Sequence, residues 1–350
     1  MSHERKRSIS LKKSGLIAIC VVLAVILITL VLTTAYAEAL LGKIDRNPDK
    51  STLSSSEIDD ILQGEATGTG PTISEDEIIF ADDPTEIVGD DEHNEIINIL
   101  LIGQDRRAGE GRQRSDAMIL CTIDKKTKTL TMTSFLRDMY VQIPGYSNNK
   151  INACYAIGGM DLLDACLEKN FGVRVDANVE VDFSGFMKLI DMMGGVEIEL
   201  TQAEADYLNY RGNWGVTGND GWTLSAGKNL LNGSQALAYS RIRALGMDFE
   251  RTERQRKVIT ALIGNAKTMS LTQLLDMVNT GMSLITTDMT DKEIVGYVVD
   301  LFPMLDGLNI VTQRVPVDDS YRFGDVGGVG DCIILDFEVN RQFLLDTLKN

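Results

Sequence analysis

Residues Ser14–Ala37, SGLIAICVVLAVILITLVLTTAYA, carry no charged side chain in 24 positions. A helix of about 20 apolar residues crosses the hydrocarbon of a bilayer, where each backbone polar group must be satisfied within the segment. The run is therefore expected to form one transmembrane helix, and it splits the chain between two sides of a membrane. Arg5, Lys6, Arg7, Lys12 and Lys13 precede it against a single acid, Glu4. Basic residues stay on the cytoplasmic side. Residues 1–13 thus read as a cytoplasmic basic tail, 14–37 as a single-pass helix, and the remainder as extracellular. A cleaved signal peptide has an apolar region of about 7–15 residues before a small-residue site. TTAYAEA offers such a site, but the longer run favours an uncleaved signal-anchor.

Residues 38–94 are rich in Asp, Glu, Ser, Thr and Gly and read as an acidic, flexible extracellular spacer. SSSEIDDILQ within it offers a capping box, Ser54 with Glu57, and one short helix. From 95 to 350 the pattern is that of a folded domain. INILLIG is a short apolar run of the kind a buried strand needs, and DAMILCTID and KTLTMTSFL look like a hairpin. INACYAIGGMDLLDACLEKNFG reads as a helix closed by a glycine cap. ANVEVDF, FSGFMKLIDMMGG and VEIEL follow as strand, helix and strand. NGSQALAYSR, FERTERQRKVITALIGNAKTM, LTQLLDMVNTGM and DKEIVGYVVDLFPML continue as helices. LNIVTQRVPV and CIIL are late strands before a closing helix. Strands interspersed with helices imply a layered α/β domain.

The formal net charge of -17 argues against a general nucleic-acid binder, which needs a basic face. The only histidines, His3 and His93, precede the expected domain, so histidine catalysis and histidine-ligated metals are set aside. No CxxC pair occurs among the five cysteines. Cys121 reads as a buried thiol in a core strand. Cys154 and Cys166 are a candidate pair.

Against that acidic background the arginines cluster. Arg106, Arg107, Arg112, Arg114 and Arg137 form one group, and Arg241, Arg243, Arg251, Arg254 and Arg256 another. Two such windows suggest convergence on one polyanion, since the planar guanidinium fork suits bidentate phosphate contact. In the second window Asp248, Arg251 and Gln255 share one helical face, and Asp248 is a candidate N-cap. Arg254 and Val258 fall on another face, and Arg256 is expected in solvent. A surface helix with Glu250 and Glu253 ion pairs is the plainer alternative. In the first window Asp105 ends one strand and Asp116 opens the next. Two carboxylates with phosphate oxygens are a usual way to hold Mg²⁺, although most such aspartate pairs are unrelated loop residues.

NILLIGQDRR, RSDAMIL, SFLRDMYVQIPG, KINACYAIGG, VDFSGF, LNGSQALAYSRIR and DFERTERQR occur in the order and chemistry of the LytR-CpsA-Psr family. The resemblance covers roughly residues 95–265, with a weaker continuation. It implies an α-β-α layered domain around a central twisted mixed sheet, enclosing an apolar pocket for a polyprenyl chain. The implied activity is phosphotransfer of a cell-wall glycopolymer, such as teichoic acid or capsule, from a polyprenyl-diphosphate carrier onto peptidoglycan in a Gram-positive-type envelope. Mg²⁺, or Mn²⁺, would assist. By the same resemblance Asp105 and Asp116 match metal positions. Arg107, Arg114, Arg137, Lys150, Arg241, Arg243 and Arg251 match diphosphate-binding positions, and Arg114, Arg137, Asp248, Arg251 and Gln255 match catalytic ones. The short ALG link after Arg243 leaves the match of Asp248 looser than that of Arg251. A polyprenyl-diphosphate hydrolase using the same site, or a non-enzymatic envelope regulator, are the alternative readings. The apolar helices FSGFMKLIDMMGG and VITALIGNAKTM are candidates to line the lipid pocket, or ordinary core.

Overall fold

The computed structural model describes residues 53–63, 68–89, 95–106, 111–210 and 221–349. The basic tail, the apolar run Ser14–Ala37, His3, His93 and Arg107 lie outside these residues. Among the described residues no helix is long and apolar enough to cross a membrane.

Helix α1 (Ser55–Leu62) has the expected capping box: the Ser54 hydroxyl accepts from Glu57 N–H, and the Ser54 N–H donates to the Glu57 carboxylate at 2.7 Å. Its apolar side packs on the main core through Ile58, Ile61 and Leu62. Strand β1 (Thr72–Ile73) follows. Ile73, Ile78 and Val88 are buried. The described part of the expected spacer is therefore built onto the domain, and a boundary at residue 95 falls too late. Single apolar residues among acids carry no periodic signal, yet each fills a gap beside a sheet.

Strands β2 (Ile96–Gln104), β3 (Ser115–Asp124) and β4 (Thr129–Phe135) run antiparallel in sequence, with Leu100 opposite Leu120 and Cys121 opposite Met132. The hairpin expected from β3 and β4 is present. The short strands β5 (Tyr140–Val141) and β6 (Asn149–Lys150) lead into α2 (Asn152–Phe171). This helix breaks at Gly159, whose φ of 68° is a left-handed value that favours glycine, and it ends on the expected cap, Gly172. β7 (Ala177–Asp182) then returns parallel to β2.

α3 (Phe183–Met192) starts directly after β7, with Asp182 Oδ1 accepting from Gly185 N–H at 2.7 Å. β8 (Val196–Leu200), α4 (Gln202–Asn209), β9 (Gly227–Leu231), α5 (Gly233–Ser240) and α6 (Asp248–Ala266) follow, with β8 and β9 forming a separate antiparallel pair. α7 (Leu271–Gly281), β10 (Thr286–Thr287) and α8 (Asp291–Leu301) lead to β11 (Asn309–Val315), which lies parallel to β4. β12 (Tyr321–Val326), β13 (Gly330–Leu335) and α9 (Phe337–Leu348) close the chain.

The central sheet has the order β10-β7-β2-β3-β4-β11 and mixes both pairing senses, while β1, β12 and β13 form a smaller sheet. Side chains alternate across the central sheet. Leu100, Ile102, Met118 and Leu120 pack toward α2 and α9. Ile97, Ile119, Cys121 and Met132 pack toward α6 and α8, where Ile259, Ile263, Tyr297 and Leu301 meet them. This is the expected mixed α/β layering. A further apolar cluster joins Ile190, Ile198, Leu200, Tyr239 and Val258 between α3, β8, α5 and α6. Cys121, Cys154, Cys166 and Cys332 are free and buried. Burial pushes the Cys121 thiol up to about 12, so it is an inert core residue as expected. The candidate Cys154–Cys166 pair is two thiols in the core.

Candidate active site: a cavity with a charged rim

β3 runs against both β2 and β4, and β7 runs with β2. The ends of β2, β4 and β7 and the start of β3 therefore lie along one edge of the sheet. Open α/β sheets place ligands at such carboxyl ends. Asp105 follows β2, Asp116 opens β3, Arg137 follows β4, and Asp182 ends β7.

Beside this edge lies a cavity of about 630 Å³. Its floor is the sheet, through Leu101, Gly103, Ala117, Ile119, Val179 and Val181. Gly103 and Ala117 are paired across β2 and β3. A Cβ added at Gly103 would stand 3.2 Å from that of Ala117, so two small residues keep the floor low. The walls are Phe183, Phe186 and Leu189 of α3 and Ile259 and Leu262 of α6. Both helices named as candidate pocket walls do line it. The cavity lies between the sheet-facing cluster of α6 and the cluster around Val258, and the two helices meet it with apolar side chains.

The polar residues gather at the rim. Asp105, Asp116, Arg137, Arg241, Arg243, Arg251 and Gln255 all line the cavity. Arg137 Nη1 lies 2.6 Å from Asp116 Oδ1, and its Nε lies 3.5 Å from Asp138 Oδ2. Burial pulls the Arg137 pKa down, but Asp138, Asp248 and Asp116 outweigh it and hold the guanidinium above its ordinary value. Arg251, buried in α6, binds Asp248 Oδ2 at 2.7 Å. Arg243 has its pKa lowered by burial, then by the positive charges of Arg137 and Arg251. Arg241 stacks its guanidinium 4.5 Å over the Phe183 ring and faces Asp105 Oδ2 at 3.8 Å. Arg251 Nε and Gln255 Oε1 are buried with no hydrogen-bond partner. An anion would relieve the crowded guanidiniums and accept from the unpaired Arg251 Nε–H, whereas Gln255 Oε1 is an acceptor and needs a donor.

Several expected members sit elsewhere. Arg114 does not line the cavity; its Nη2 donates to the Ile61 carbonyl of α1. Arg112 donates to the Ala156 and Ile157 carbonyls beside the break in α2, and Arg106 faces Glu180 at 3.4 Å. Buried carbonyls and carboxylates need partners, and these arginines answer that need instead of converging on the rim. Lys150 is one step removed, 3.8 Å from Asp138. Asp248 is the first residue of α6 and not its cap. Met247 takes the cap position, and the Glu250 carboxylate accepts from the Met247 N–H at 2.7 Å.

Arg254 and Arg256 are both buried. Arg254 donates to Glu204 at 2.8 Å and to the Ile242 and Leu245 carbonyls, so it clasps the link that carries Arg243. Arg256 is not in solvent. Its Nη1 donates to Ser134 Oγ of β4 at 2.6 Å, and burial lowers its pKa to about 10. It does leave the Arg251 face, as helical spacing requires, but that side of α6 meets the sheet. Phe183 and Asp138 were not singled out from the sequence. Nothing in their local pattern marks them, because one acts through a ring stacked under Arg241 and the other through contacts to Arg137 and Lys150.

Asp105 and Asp116 fit a hard divalent cation as two oxygen donors at the rim. No group of three or more His, Cys, Asp or Glu suited to a metal occurs among the described residues. The remaining ligands would have to be phosphate oxygens and water, which is how Mg²⁺ is commonly held.

Comparison with known proteins follows the same line. The chain is 31% identical over 258 residues to the regulatory protein MsrR of Staphylococcus aureus (strain COL), covering 72% of this chain and 74% of that one. It is 31% identical over 257 residues to the polyisoprenyl-teichoic acid--peptidoglycan teichoic acid transferase TagT of Bacillus subtilis (strain 168), again covering 72% and 74%. A solved structure of TagT bound to LIIa-WTA superposes with a TM-score of 0.60 at 26% identity, over 77% of this chain and 97% of that one. The family model LytR_cpsA_psr matches residues 66–328. Its start at 66 agrees with the early, built-in segment of the domain. The chain belongs to the LytR_cpsA_psr family.

Proposed function

We propose that this protein is a membrane-anchored phosphotransferase, which moves an anionic glycopolymer from a polyprenyl-diphosphate carrier onto peptidoglycan outside the cell. The observation that carries this reading is that one cavity is lined both by apolar side chains and by four arginines and three aspartates, Asp105, Asp116 and Asp182. That combination matches a ligand with a hydrocarbon tail and a diphosphate head. The relative TagT, named as a polyisoprenyl-teichoic acid--peptidoglycan teichoic acid transferase, supports the transferase part of it.

The polyprenyl tail lies over Leu101, Ala117 and Val181 between Phe186 and Ile259. Arg137, Arg241, Arg243 and Arg251 hold the two phosphates by charge-assisted hydrogen bonds. Asp248, bonded to Arg251, fixes the orientation of that arginine, and the amide of Gln255 beside it is a further donor toward the ligand. An acceptor hydroxyl of peptidoglycan attacks the sugar-linked phosphorus. The new P–O bond forms as the bond to the bridging oxygen breaks, and polyprenyl phosphate leaves. Asp248, partly exposed beside the rim, takes the hydroxyl proton. Mg²⁺ or Mn²⁺ held by Asp105 and Asp116 would supply neutralisation of phosphate charge. Little covalent work falls to the protein in phosphoryl transfer, and positioning with charge stabilisation dominates.

The test is transfer of radiolabelled glycopolymer from its lipid carrier to purified sacculi. Label should become insoluble in hot detergent with the wild-type protein. Arg251→Lys should transfer about 10²–10³-fold more slowly, because an ammonium cannot make the bidentate contact. Soluble label alone, with polyprenyl phosphate released, would make the protein a hydrolase. No release of lipid phosphate would remove the reading altogether.

A further inference from the structure

The two carboxylates assigned to a divalent cation already face arginines, and those arginines are the ones assigned to the diphosphate. Asp116 Oδ1 accepts from Arg137 at 2.6 Å, and Asp105 Oδ2 lies 3.8 Å from Arg241. A carboxylate oxygen engaged at 2.6 Å by a guanidinium has no free lone pair aimed at a metal from that side. A cation arriving alone would also enter a rim where Arg137, Arg243 and Arg251 stand together and the first and last already disfavour the charge of Arg243. A diphosphate arriving alone would satisfy the arginines but leave its oxygens beside two uncompensated carboxylates. With both ligands present every charge has an opposite neighbour.

We propose that the cation and the diphosphate bind as a coupled pair through an exchange of partners at Asp105 and Asp116. The phosphates draw Arg137 and Arg241 off the carboxylates, and the freed carboxylates take the cation. This rests on the diphosphate and metal reading given above, and goes beyond it by fixing the order of dependence between the two ligands.

The surroundings allow each arginine to move its head without losing its seat. Arg137 keeps Asp138, 3.5 Å from its Nε, when Asp116 is released. Asp138 is itself backed by Lys150 at 3.8 Å. Arg241 is 41% exposed and rests on the flat face of Phe183, a contact that survives a swing in the plane of the ring. Asp105 and Asp116 are thus held as latent ligands, kept compensated until the phosphates arrive.

Binding free energies couple reciprocally, and couplings between sites are commonly about 5–150-fold. The experiment is a Mn²⁺ titration of the full chain in detergent, followed by the electron paramagnetic resonance of free Mn²⁺, with and without farnesyl diphosphate. A protein-free series with farnesyl diphosphate corrects for Mn²⁺ bound directly by the probe. Farnesyl diphosphate binding is measured separately by calorimetry, with and without Mn²⁺. We expect Mn²⁺ to bind at least about tenfold more tightly with the probe present, and the probe to gain the same factor from Mn²⁺. Asp116→Asn should abolish the gain. Arg241→Met, at a partly exposed position, should tighten Mn²⁺ binding without the probe and shrink the coupling. Equal Mn²⁺ affinity with and without the probe overturns the exchange and the sharing of phosphate oxygens, and leaves the diphosphate reading of the cavity standing. Probe binding without Mn²⁺ binding in any arm overturns the metal assignment and the exchange together. No probe binding at all overturns the function proposed for the cavity.

Discussion

Arg251, Arg254 and Arg256 look alike in the sequence, and the fold gives each a different neighbour. Arg251 faces the cavity with Asp248, Arg254 holds Glu204 and two loop carbonyls, and Arg256 meets Ser134 with its Nε unpaired. Helical spacing separates the three faces correctly. It does not reveal which faces are covered, so Arg256 reads as a solvent residue until the sheet is in place. Among the described residues Arg256 has no carboxylate within ion-pair distance, whereas Arg254 does. Removing one partner of a buried pair strands the other, typically at about 3–5 kcal/mol, whereas removing a buried charge with no carboxylate partner strands no charge and lifts its desolvation cost. Arg254→Met should therefore lower stability by about that amount, and Arg256→Met should leave it within about 1 kcal/mol or raise it. Urea unfolding of the two variants checks this, and equal losses would contradict it.

A second residue-level expectation concerns Asp164 on α2. Burial raises its carboxyl to about 7, with a lowering bond from Asn178 and raising contributions from Asp288 and Asp161. Asn178 Nδ2 donates to it at 2.7 Å, yet Asp164 Oδ1 and Asn178 Oδ1 both lack a partner. A proton on the acid supplies the donor that the pair is missing. Folding thus favours the protonated form, so this contribution is full below the unfolded value of about 4 and is lost as pH rises through about 7. Melting temperatures measured from pH 4 to 8 should fall over that window. The fall should shrink in Asp164→Asn, and an identical profile in the variant would contradict the assignment.

Among the elements, the long apolar runs were readable because their period and length leave few alternatives. The hairpin of β3 and β4, strand β7, and helices α3, α5, α6 and α9 appear where the pattern puts them. β9, with the sequence GKNLL, carried no such signal: only Leu231 at its end is buried, and Leu230 is exposed. β1 is two residues long and gains its place only by pairing with β12. The cavity was half readable. Apolar faces on α3 and α6 are visible in the sequence, but whether they close on each other or on a space depends on Gly103 and Ala117 in the floor. Ala117→Leu should fill that floor without touching the rim. Displacing about two methylenes of bound chain costs about 1.6 kcal/mol, or more than tenfold in affinity. Calorimetry with a long-chain polyprenyl phosphate should show that loss with little change in melting temperature. Unchanged affinity would place the chain elsewhere.

For the whole molecule, the proposed anchor, Ser14–Ala37, precedes the described domain in the sequence. The proposed orientation sets the reaction outside the membrane, where a lipid carrier and peptidoglycan meet. Protease added to intact cells stripped of wall should therefore remove the domain and spare the basic tail, while full protection would reverse the topology. The proposed reaction is one coupled event, in which the bond to the lipid phosphate breaks as the bond to the wall forms. The direct measurement is the molar ratio of polyprenyl phosphate released to glycopolymer made covalent with peptidoglycan, in a reconstituted reaction with Mg²⁺. A ratio near one is the result expected of a transferase. Lipid phosphate released with no polymer on the wall, or polymer on the wall with no lipid phosphate released, would contradict it.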